Sequence, residues 1–250
     1  MIWVIGGTSE AREFLGLFED KDKILVTVAT EEGKRFIHGA RTLIGRMSCE
    51  QMCEFIEKNG IRAIADLSHP FATVVTENAN RAASESGISY FKYERNISEK
   101  FHEGLYLESF DKCVEVVREL KGTIFFTSGV KNLERFEQVK KTNRFVHRII
   151  PSAESLDICK RSKVEPRDII AVVGPFSKEF NIIMFRDYNA DYVVMKDSGD
   201  RGGTLEKLNA CRELGIVPII VERQDSEGIF SLVEMKREIT GVLREENSIG

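Results

Sequence analysis

Several features that mark common protein classes are missing from this chain of 250 residues. No apolar run reaches the roughly 18 residues that a membrane span needs, and no basic segment followed by an apolar one opens the chain. We therefore expect a cytoplasmic protein. The formal net charge is −4, from 36 basic and 40 acidic residues. Because non-specific nucleic-acid binding needs an overall basic surface, this balance argues against it.

Cysteine is scarce and odd in number. The cysteines are Cys49, Cys53, Cys113, Cys159 and Cys211. An odd count without close pairing is typical of reduced thiols in a cytosolic protein. Cys49 and Cys53 are spaced to share one helix face, but a zinc site needs two further ligands, and only His38 is near them in the sequence. We expect buried structural thiols and no metal site.

Common catalytic and nucleotide-binding motifs are also absent. The chain contains no G-x-S-x-G elbow of a serine hydrolase and no P-loop. It has no pair of histidines one helical turn apart that would bind a metal. The complete G-x-G-x-x-G dinucleotide fingerprint is missing as well.

The most informative segment that is present lies at the start of the chain. An apolar run, residues 2–5, ends at Gly6-Gly7-Thr8-Ser9, and a helical pattern follows at once. A strand that ends in glycines and leads into a helix is how α/β proteins present a helix N-terminus to a phosphate. The hydroxyls of Thr8 and Ser9 can donate to a ligand or cap the helix. The segment therefore predicts either a pyrophosphate loop or an ordinary capped turn.

Strand-like and helical patterns alternate along the chain. Strands are predicted at residues 2–5, 24–28, 62–66, 88–93, 123–126, 145–150, 168–173, 192–195 and 216–221. Helices are predicted at residues 10–18, 49–59, 71–86, 109–120, 133–140, 152–162, 177–188, 205–214 and 232–244. This alternation is typical of parallel sheets with helices on both faces. We predict two doubly wound halves, residues 1–97 and 98–250, joined near residues 94–103, with a cleft between them.

Small hydroxyl residues and glycines follow many of the predicted strands. These loops are residues 6–9, 67–71, 127–131, 174–177 and 196–204. In open parallel sheets, ligands bind beyond the carboxyl ends of the strands. Such loops in both halves favour a long ligand, or two ligands that meet in the cleft.

Two ionisable residues in these loops are candidates for chemistry. His69 has a side chain that can exchange a proton near neutral pH, although Ser68 or His69 can equally cap the next helix, with Pro70 in its first turn. Lys196, beside glycines and a helix start, suits an anionic group. Its alternative is a salt bridge to Asp197 or Asp200 that only shapes the loop.

The end of the second strand distinguishes the two nicotinamide cofactors. NAD sites usually place an acidic residue there to bind the ribose hydroxyls. Here Thr30 occupies that place, and Lys34 and Arg35 follow, although Glu31 and Glu32 lie between them. A neutral hydroxyl with bases nearby favours NADP over NAD.

Taken together, motifs along residues 1–223 resemble one family. They are Gly6-Gly7-Thr8-Ser9-Glu10-Ala11-Arg12, Asp66-Leu67-Ser68-His69-Pro70-Phe71-Ala72, Tyr93-Glu94-Arg95, Thr127-Ser128-Gly129-Val130-Lys131-Asn132-Leu133, Arg148-Ile149-Ile150-Pro151, Gly174-Pro175-Phe176-Ser177 with Asn181, and Lys196-Asp197-Ser198-Gly199 through Gly202-Gly203 to Glu206-Lys207. In this order they resemble the precorrin-6A reductases of cobalamin biosynthesis. Two departures are Gln224, where proline is frequent, and Leu67-Ser68, where Ala-Thr is more usual.

The resemblance implies two Rossmann-like halves, with NADPH at their junction, that reduce one ring double bond of precorrin-6A or cobalt-precorrin-6A to the 6B product. The implied cofactor-binding residues are Gly6, Gly7, Thr8, Ser9, Thr30, Ser68, His69, Thr127, Ser128, Gly129 and Lys131. The implied substrate-binding residues are Arg95, Arg148, Gly174, Ser177, Lys196, Ser198, Gly199, Arg201, Gly202 and Gly203. Lys196 and His69 are the catalytic candidates.

The expected partner is a corrinoid tetrapyrrole and neither nucleic acid nor a membrane, with the protein a monomer or a small homo-oligomer. Two alternatives stay open at this point. One is a non-catalytic NADP-sensing module, and the other is a reductase of a different small enone. Fold alone does not separate these possibilities.

Overall fold

The computed structural model describes residues 1–35, 37–95, 104–199, 202–223 and 228–245. Contacts divide the chain into two compact units, one made of Met1–Glu94 with Asp225–Gly250 and the other of Arg95–Gln224. Each unit is built around one all-parallel sheet. The prediction of α/β halves with parallel sheets is therefore confirmed. Within the described residues, the helices are too short or too polar to cross a lipid bilayer.

The first unit contains five strands in the order β3-β2-β1-β4-β5. They are β1 (Ile2–Ile5), β2 (Ile24–Val28), β3 (Arg41–Ile44), β4 (Ala63–Asp66) and β5 (Ser89–Lys92). The helices that cover them are α1 (Ser9–Gly16), α2 (Glu31–Arg35), α3 (Cys49–Asn59) and α4 (Thr73–Ser86). The central strands are fully buried, as the continuous apolar runs of a sheet covered on both faces require. Strand β3 was not predicted, because this edge strand is half exposed and mixed in composition.

The second unit contains six strands in the order β6-β11-β10-β7-β8-β9. They are β6 (Leu105–Leu107), β7 (Thr123–Phe126), β8 (Arg144–Ile149), β9 (Ile169–Ala171), β10 (Tyr192–Lys196) and β11 (Val217–Val221). Its helices are α5 (Phe110–Glu119), α6 (Leu133–Val139), α7 (Ala153–Arg161), α8 (Lys178–Asp187) and α9 (Thr204–Leu214). The short edge strand β6 was also missed, since three residues carry too little pattern.

Each sheet has one point at which the chain changes direction across the sheet. In the first sheet the neighbours β1 and β4 lead to opposite edges, and in the second sheet β7 and β10 do so. At such a switch point the connecting segments diverge and leave a crevice beyond the strand ends, where open α/β sheets bind ligands. The candidate binding residues of each unit are therefore expected at its switch point.

The terminal helix α10 (Leu232–Glu245) packs on the first unit, although the sequence analysis grouped residues 98–250 in one half. Its side chains Met235 and Ile239 are fully buried in the same core as Phe14 and Val4. Apolar residues one helical turn apart form a stripe, and this stripe covers a face of the first sheet. The domain boundary near residue 97 stays a prediction. The position of α10 differs from the expectation, because this helix belongs to the first unit and not to the second.

This packing predicts that truncating the stripe destabilises the first unit. Met235→Ala should lower its free energy of unfolding by about 2–5 kcal/mol, because a buried side chain is replaced by a cavity. Val233→Ala is the matched control, since Val233 is 67% exposed and its truncation should change stability by less than about 0.5 kcal/mol. The single tryptophan, Trp3, is buried in β1, so its fluorescence during denaturant unfolding reports on this unit. Equal effects of the two substitutions would contradict the packing.

Candidate functional site

The loop after β1 has the geometry of a glycine turn that opens a helix. Gly7 has φ of +107°, a conformation that residues with a Cβ rarely adopt. Nothing lies within 4 Å of where a Cβ on Gly7 would stand, so the backbone is open to a ligand there. Thr8 caps α1, since its Oγ1 accepts from the N–H of Ala11 at 3.2 Å. The capping role and an open glycine turn thus occur together.

Thr8 also connects the two sides of the first switch point. Its hydroxyl donates to the carbonyl of Leu67, which follows β4, at 2.8 Å. The next residue, Ser68, is half-buried, and its N–H donates to Asp66 Oδ1 at 2.9 Å. His69 is exposed, and its Nδ1 accepts from the N–H of Phe71 at 3.2 Å. The predicted residues Thr8 and Ser68 are therefore brought together, and His69 shares a turn contact with Phe71.

The end of β2 lies beside the same loop. The Thr30 hydroxyl accepts from the N–H of Gly33 at 3.1 Å. A Cβ built on Gly33 would lie 3.5 Å from Thr30 Oγ1 and 3.8 Å from the Gly7 Cα. Thr30 and Gly7 thus both lie next to Gly33, at the carboxyl edge of the first sheet. Beyond it is an open depression of about 380 Å³. Its lining residues are Glu31, Lys34, Arg35, Ile37, His38, Ala40 and Thr42.

A buried polar cluster, which the sequence analysis missed, supports the loop after β4. The fully buried Asp66 accepts at Oδ2 from Thr76 Oγ1 at 2.8 Å and from the Tyr90 hydroxyl at 2.7 Å. Lys92 Nζ lies 3.7 Å from Asp66 and 3.8 Å from Glu94. Burial, together with the Asp66 carboxylate, raises the pKa of Tyr90. The sequence does contain a signal for this cluster. Asp66 ends one strand, and Tyr90 and Lys92 are two residues apart on the neighbouring strand β5, so their side chains lie on the same face.

The loop after β7 reaches across to β10 in the second unit. Both the N–H and the hydroxyl of Thr127 donate to the carbonyl of Val194, at 2.8 and 3.1 Å. Ser128 is buried, and Gly129 turns the chain with φ of +76°. Lys131 is exposed at the end of this turn. The predicted residues of this segment therefore lie at the second switch point.

The loop after β10 is tightly folded. The N–H of Ser198 donates to Thr204 Oγ1 at 3.1 Å, and that of Gly199 donates to Asp197 Oδ1 at 3.1 Å. A Cβ on Gly202 would lie 2.2 Å from the Ser198 Cβ, so only glycine fits. Gly203 precedes α9 with φ of +66°.

Arg95, which the resemblance assigns to the substrate, supports that loop. Its side chain is buried, and Nη1 donates to the carbonyl of Ser198 at 2.9 Å. The structure thus gives Arg95 a structural contact. Arg201 and Asp200 lie outside the described residues.

Arg148, near the end of β8, is held by α8 and the loop before it. Nη1 donates to Asn181 Oδ1 at 2.8 Å, and the guanidinium lies 4.8 Å from the Phe176 ring centroid. Burial lowers the pKa of Arg148 to about 10. A Cβ on Gly174 would come within 2.8 Å of the Phe176 ring, and Ser177 caps α8 by accepting from the N–H of Phe180. Gly174 and Ser177 therefore shape the support of Arg148.

Lys196, the last residue of β10, is half-buried beside the ring of Phe110, with 5.7 Å from Nζ to the centroid. Burial, and then the charge of Lys131, lowers the pKa of Lys196 to about 8. The alternative of a lysine that pairs with Asp197 or Asp200 to shape the loop stays open, since Asp200 lies outside the described residues. The charges of Lys131 and Lys196 repel each other, and a bound anion would reduce that repulsion.

Lys196 and Tyr192 have the Tyr-x-x-x-Lys spacing of small-carbonyl reductases, but both lie on β10. On a strand, with about 3.3 Å per residue, four positions separate them by roughly 13 Å. On a helix the same spacing would make them neighbours. The pair therefore cannot act together on one oxygen.

The thiols of Cys49 and Cys53 lie with the Glu85 carboxylate, their ligand atoms within 4.8 Å of one another. Glu85 was not foreseen, because it comes from α4. Its Oε1 already accepts from Arg81 Nε at 2.9 Å. Burial raises the pKa of Cys53, which opposes formation of the thiolate that metals bind.

Comparison with known proteins gives a consistent result. The family model "Precorrin-6x reductase CbiJ/CobK" matches residues 1–241. A cobalt-precorrin-6A reductase of Priestia megaterium is 33% identical over 91% of this chain and 92% of its own. One from Methanococcus maripaludis is 32% identical over 90% and 91%. A solved structure titled "CobK precorrin-6A reductase" shares the fold, with a TM-score of 0.79, 21% identity and 96% of both chains covered.

The buried cluster around Asp66 predicts a stability effect. Tyr90→Phe removes one of the donors to a carboxylate that solvent cannot reach, which should cost about 1–3 kcal/mol. Tyr192→Phe, at the start of β10 in the other unit, is the control and should leave the first unit unchanged. Trp3 fluorescence during denaturant unfolding measures both. An unchanged midpoint for Tyr90→Phe would show that the hydroxyl contributes nothing to the cluster.

Proposed function

This chain belongs to the precorrin-6x reductase family, and on that premise we propose that it reduces one ring double bond of precorrin-6A or cobalt-precorrin-6A with NADPH. The family membership makes the chain an oxidoreductase of cobalamin biosynthesis. The observation that carries the proposed reaction is a group of cations around the second switch point, with Lys196 at the end of β10, Lys131 after β7 and Arg148 on the neighbouring strand β8. The substrate's ring is edged with carboxylates, which such cations recognise.

The first unit is the proposed cofactor-binding unit. The open glycine turn at Gly6 and Gly7, at the positive end of α1, fits a pyrophosphate. Thr8 and Ser9 would lie against the same group, with Ser68 and His69 on the opposite side of the switch point. When bound, a nicotinamide cofactor supplies the hydride. The residues of the chain provide binding, orientation and the electrostatic environment.

The choice of NADPH over NADH rests on the end of β2. Thr30 stands where NAD-binding proteins usually carry an acid. The adjacent depression is lined by Lys34, Arg35 and His38, which suit a 2′-phosphate. The acidic Glu31 on the same rim is outnumbered by these basic groups.

The second unit is the proposed substrate-binding unit. Arg148, Lys196 and Lys131 would bind carboxylates, while Thr127, Ser128 and Gly129 would approach the cofactor. Gly174, Ser177, Ser198, Gly199, Gly202 and Gly203 would shape the surroundings. Arg95 would act indirectly, by holding the loop at Ser198. Arg201 lies outside the described residues, and its role stays a prediction.

A proton must be added at the carbon next to the one that receives hydride. Lys196 is the stronger of the two proposed donors. With a pKa of about 8, its ammonium is the main form at neutral pH and yet releases a proton readily. His69 would serve instead to orient the nicotinamide end of the cofactor.

The cofactor proposal predicts a preference that depends on Lys34 and Arg35. Titration of NADPH and of NADH against the purified protein should show tighter binding of NADPH. The double variant Lys34→Ala, Arg35→Ala should weaken NADPH binding on the order of tenfold or more, through loss of charge-assisted contacts, and leave NADH unchanged. Lys58→Ala, exposed on α3, is the control. Equal affinities of the unmodified protein for both cofactors would refute the 2′-phosphate argument.

The substrate proposal predicts oxidation of NADPH, followed by absorbance at the nicotinamide band, when precorrin-6A or its cobalt complex is added. Lys196→Ala should lower kcat on the order of 10²-fold, as expected for loss of a general acid. An acid must be protonated to act, so activity of the unmodified enzyme should fall as pH rises through about 8. At saturating substrate, that decline in kcat should be absent in Lys196→Ala. Turnover equal to that of Lys160→Ala, a surface control on α7, would remove Lys196 from the site.

A further inference from the structure

Lys207 is a buried lysine that the proposed reaction does not use. It lies in the second turn of α9, and its side chain is only 6% exposed. Lysine is almost never buried to this degree without a counter-charge. Within the described residues, no carboxylate forms an ion pair with its Nζ. The neighbouring Glu206 Oε2 is likewise buried without a hydrogen-bond partner in that part of the chain.

Strand register places Arg148 on the face of the second sheet that α8 covers. Phe126 of β7 is in register with His147 of β8, and their rings stack at 4.8 Å. Because successive side chains of a strand alternate between faces, Arg148 points to the opposite face. There it contacts Asn181 and Met184 of α8.

The buried face of α9 turns to α8 on that same side of the sheet. Leu208 and Cys211, which flank Lys207 on this face, belong to one core with Met184 and Phe185. At the same sheet edge, Lys196 lies beside Phe110 of α5, and the charge of Lys131 acts on it. Cations therefore lie on both faces of the second switch point.

The charges that act on Lys207 come from several elements. Arg148 of β8 and Lys196 of β10 oppose its positive form, while Glu206 of α9 and Asp197 of the adjoining loop favour it. Cys211, one turn along, is neutral, since burial raises its pKa to about 12. On α8 the lysine Lys178 is paired with Glu213, at 2.6 Å. Burial, followed by Arg148, lowers the pKa of Lys207 to about 7.

We infer that Lys207 and Arg148 form a buried subsite for one carboxylate of the tetrapyrrole substrate, and that binding there is accompanied by protonation of Lys207. This inference rests on the proposed function for the identity of the ligand. Glu206 and Asp197 favour the charged form of Lys207, but within the described residues neither forms an ion pair with its Nζ, and a bound carboxylate would supply that pairing. Lys207 then acts as a positioning residue that selects a polycarboxylate over an esterified or uncharged ring.

The linked proton gives the subsite a defined pH dependence. A bound carboxylate favours the charged form of Lys207 and so raises its pKa above the free value of about 7. The contribution to affinity is therefore complete below pH 7 and is lost as pH rises through the pKa of the complex. Lys196, with a pKa of about 8, adds a second decline that begins one pH unit higher.

The test measures binding without turnover. Uroporphyrin, a tetrapyrrole polycarboxylate, is titrated calorimetrically into the full-length protein from pH 6 to pH 9, in buffers of different ionisation enthalpy. The unmodified protein should take up protons at pH 8, and its affinity should fall as pH rises. Lys207→Met should bind about tenfold more weakly at pH 6 and take up fewer protons at pH 8, with a shallower pH dependence. Lys207→Gln should agree with it, and Lys160→Met should match the unmodified protein.

The outcomes separate the subsite from the reaction. Equal affinity and proton uptake in Lys207→Met and the unmodified protein would overturn the subsite even if precorrin-6A is turned over. Failure of uroporphyrin to bind the unmodified protein would overturn it as well. Proton-linked binding that depends on Lys207, without NADPH oxidation by precorrin-6A, would support the subsite and overturn the proposed reaction. A thermal unfolding midpoint for each variant establishes that it is folded.

Discussion

The parallel arrangement of strands is the constraint on which the rest of the structure depends. Parallel pairing directs the carboxyl ends of all strands in a sheet to one edge, so the loops that follow them meet there whatever their distance in the sequence. Thr8 after β1 reaches Leu67 after β4 in this way, and Thr127 after β7 reaches Val194 near the end of β10. The hydrogen-bonded backbone thus assembles candidate sites from residues about 60 positions apart. Each sheet concentrates them further at the point where its chain changes direction.

The two units use buried charge in opposite ways. In the first, Asp66 accepts from Thr76 and Tyr90 and pairs with the Lys92 ammonium, which in turn donates to Thr76, so the cluster is satisfied within the protein. Such a network fixes a loop because every group in it has a partner. In the second unit, several cations lie near one another, and burial together with their mutual repulsion lowers the pKa of Lys196 and Lys207. A site whose charges repel one another is stabilised by a ligand of opposite sign, and that difference is why we propose the second unit for the anionic substrate.

Sequence patterns predicted the central strands and most helices, because apolar runs, caps and terminal glycines report directly on local structure. Ser48 and Gly60, for example, bound α3 as a capping residue and a left-handed stop. The edge strands β3 and β6 were missed, since an exposed or three-residue strand carries little apolar pattern. Gly7, Thr8 and Thr30 could be proposed as site residues from the sequence because turn chemistry is local. The burial of Lys207 was not predicted, although Thr204, Lys207, Leu208 and Cys211 share one helical face, because lysine in a helix is ordinarily solvated.

The sequence by itself determined the class of fold, the order of its strands and helices along the chain, the family, and the loops that carry the candidate groups. These follow from local periodicity and from short motifs. Only the tertiary structure decided that α10 covers the first sheet, that Arg95 supports a loop, and that Lys207 is buried near Arg148. Burial and the sign of a neighbouring charge are properties of packing between distant segments. A sequence pattern shows which face of a helix or strand is apolar. The segment that packs against that face is decided only when the tertiary structure forms.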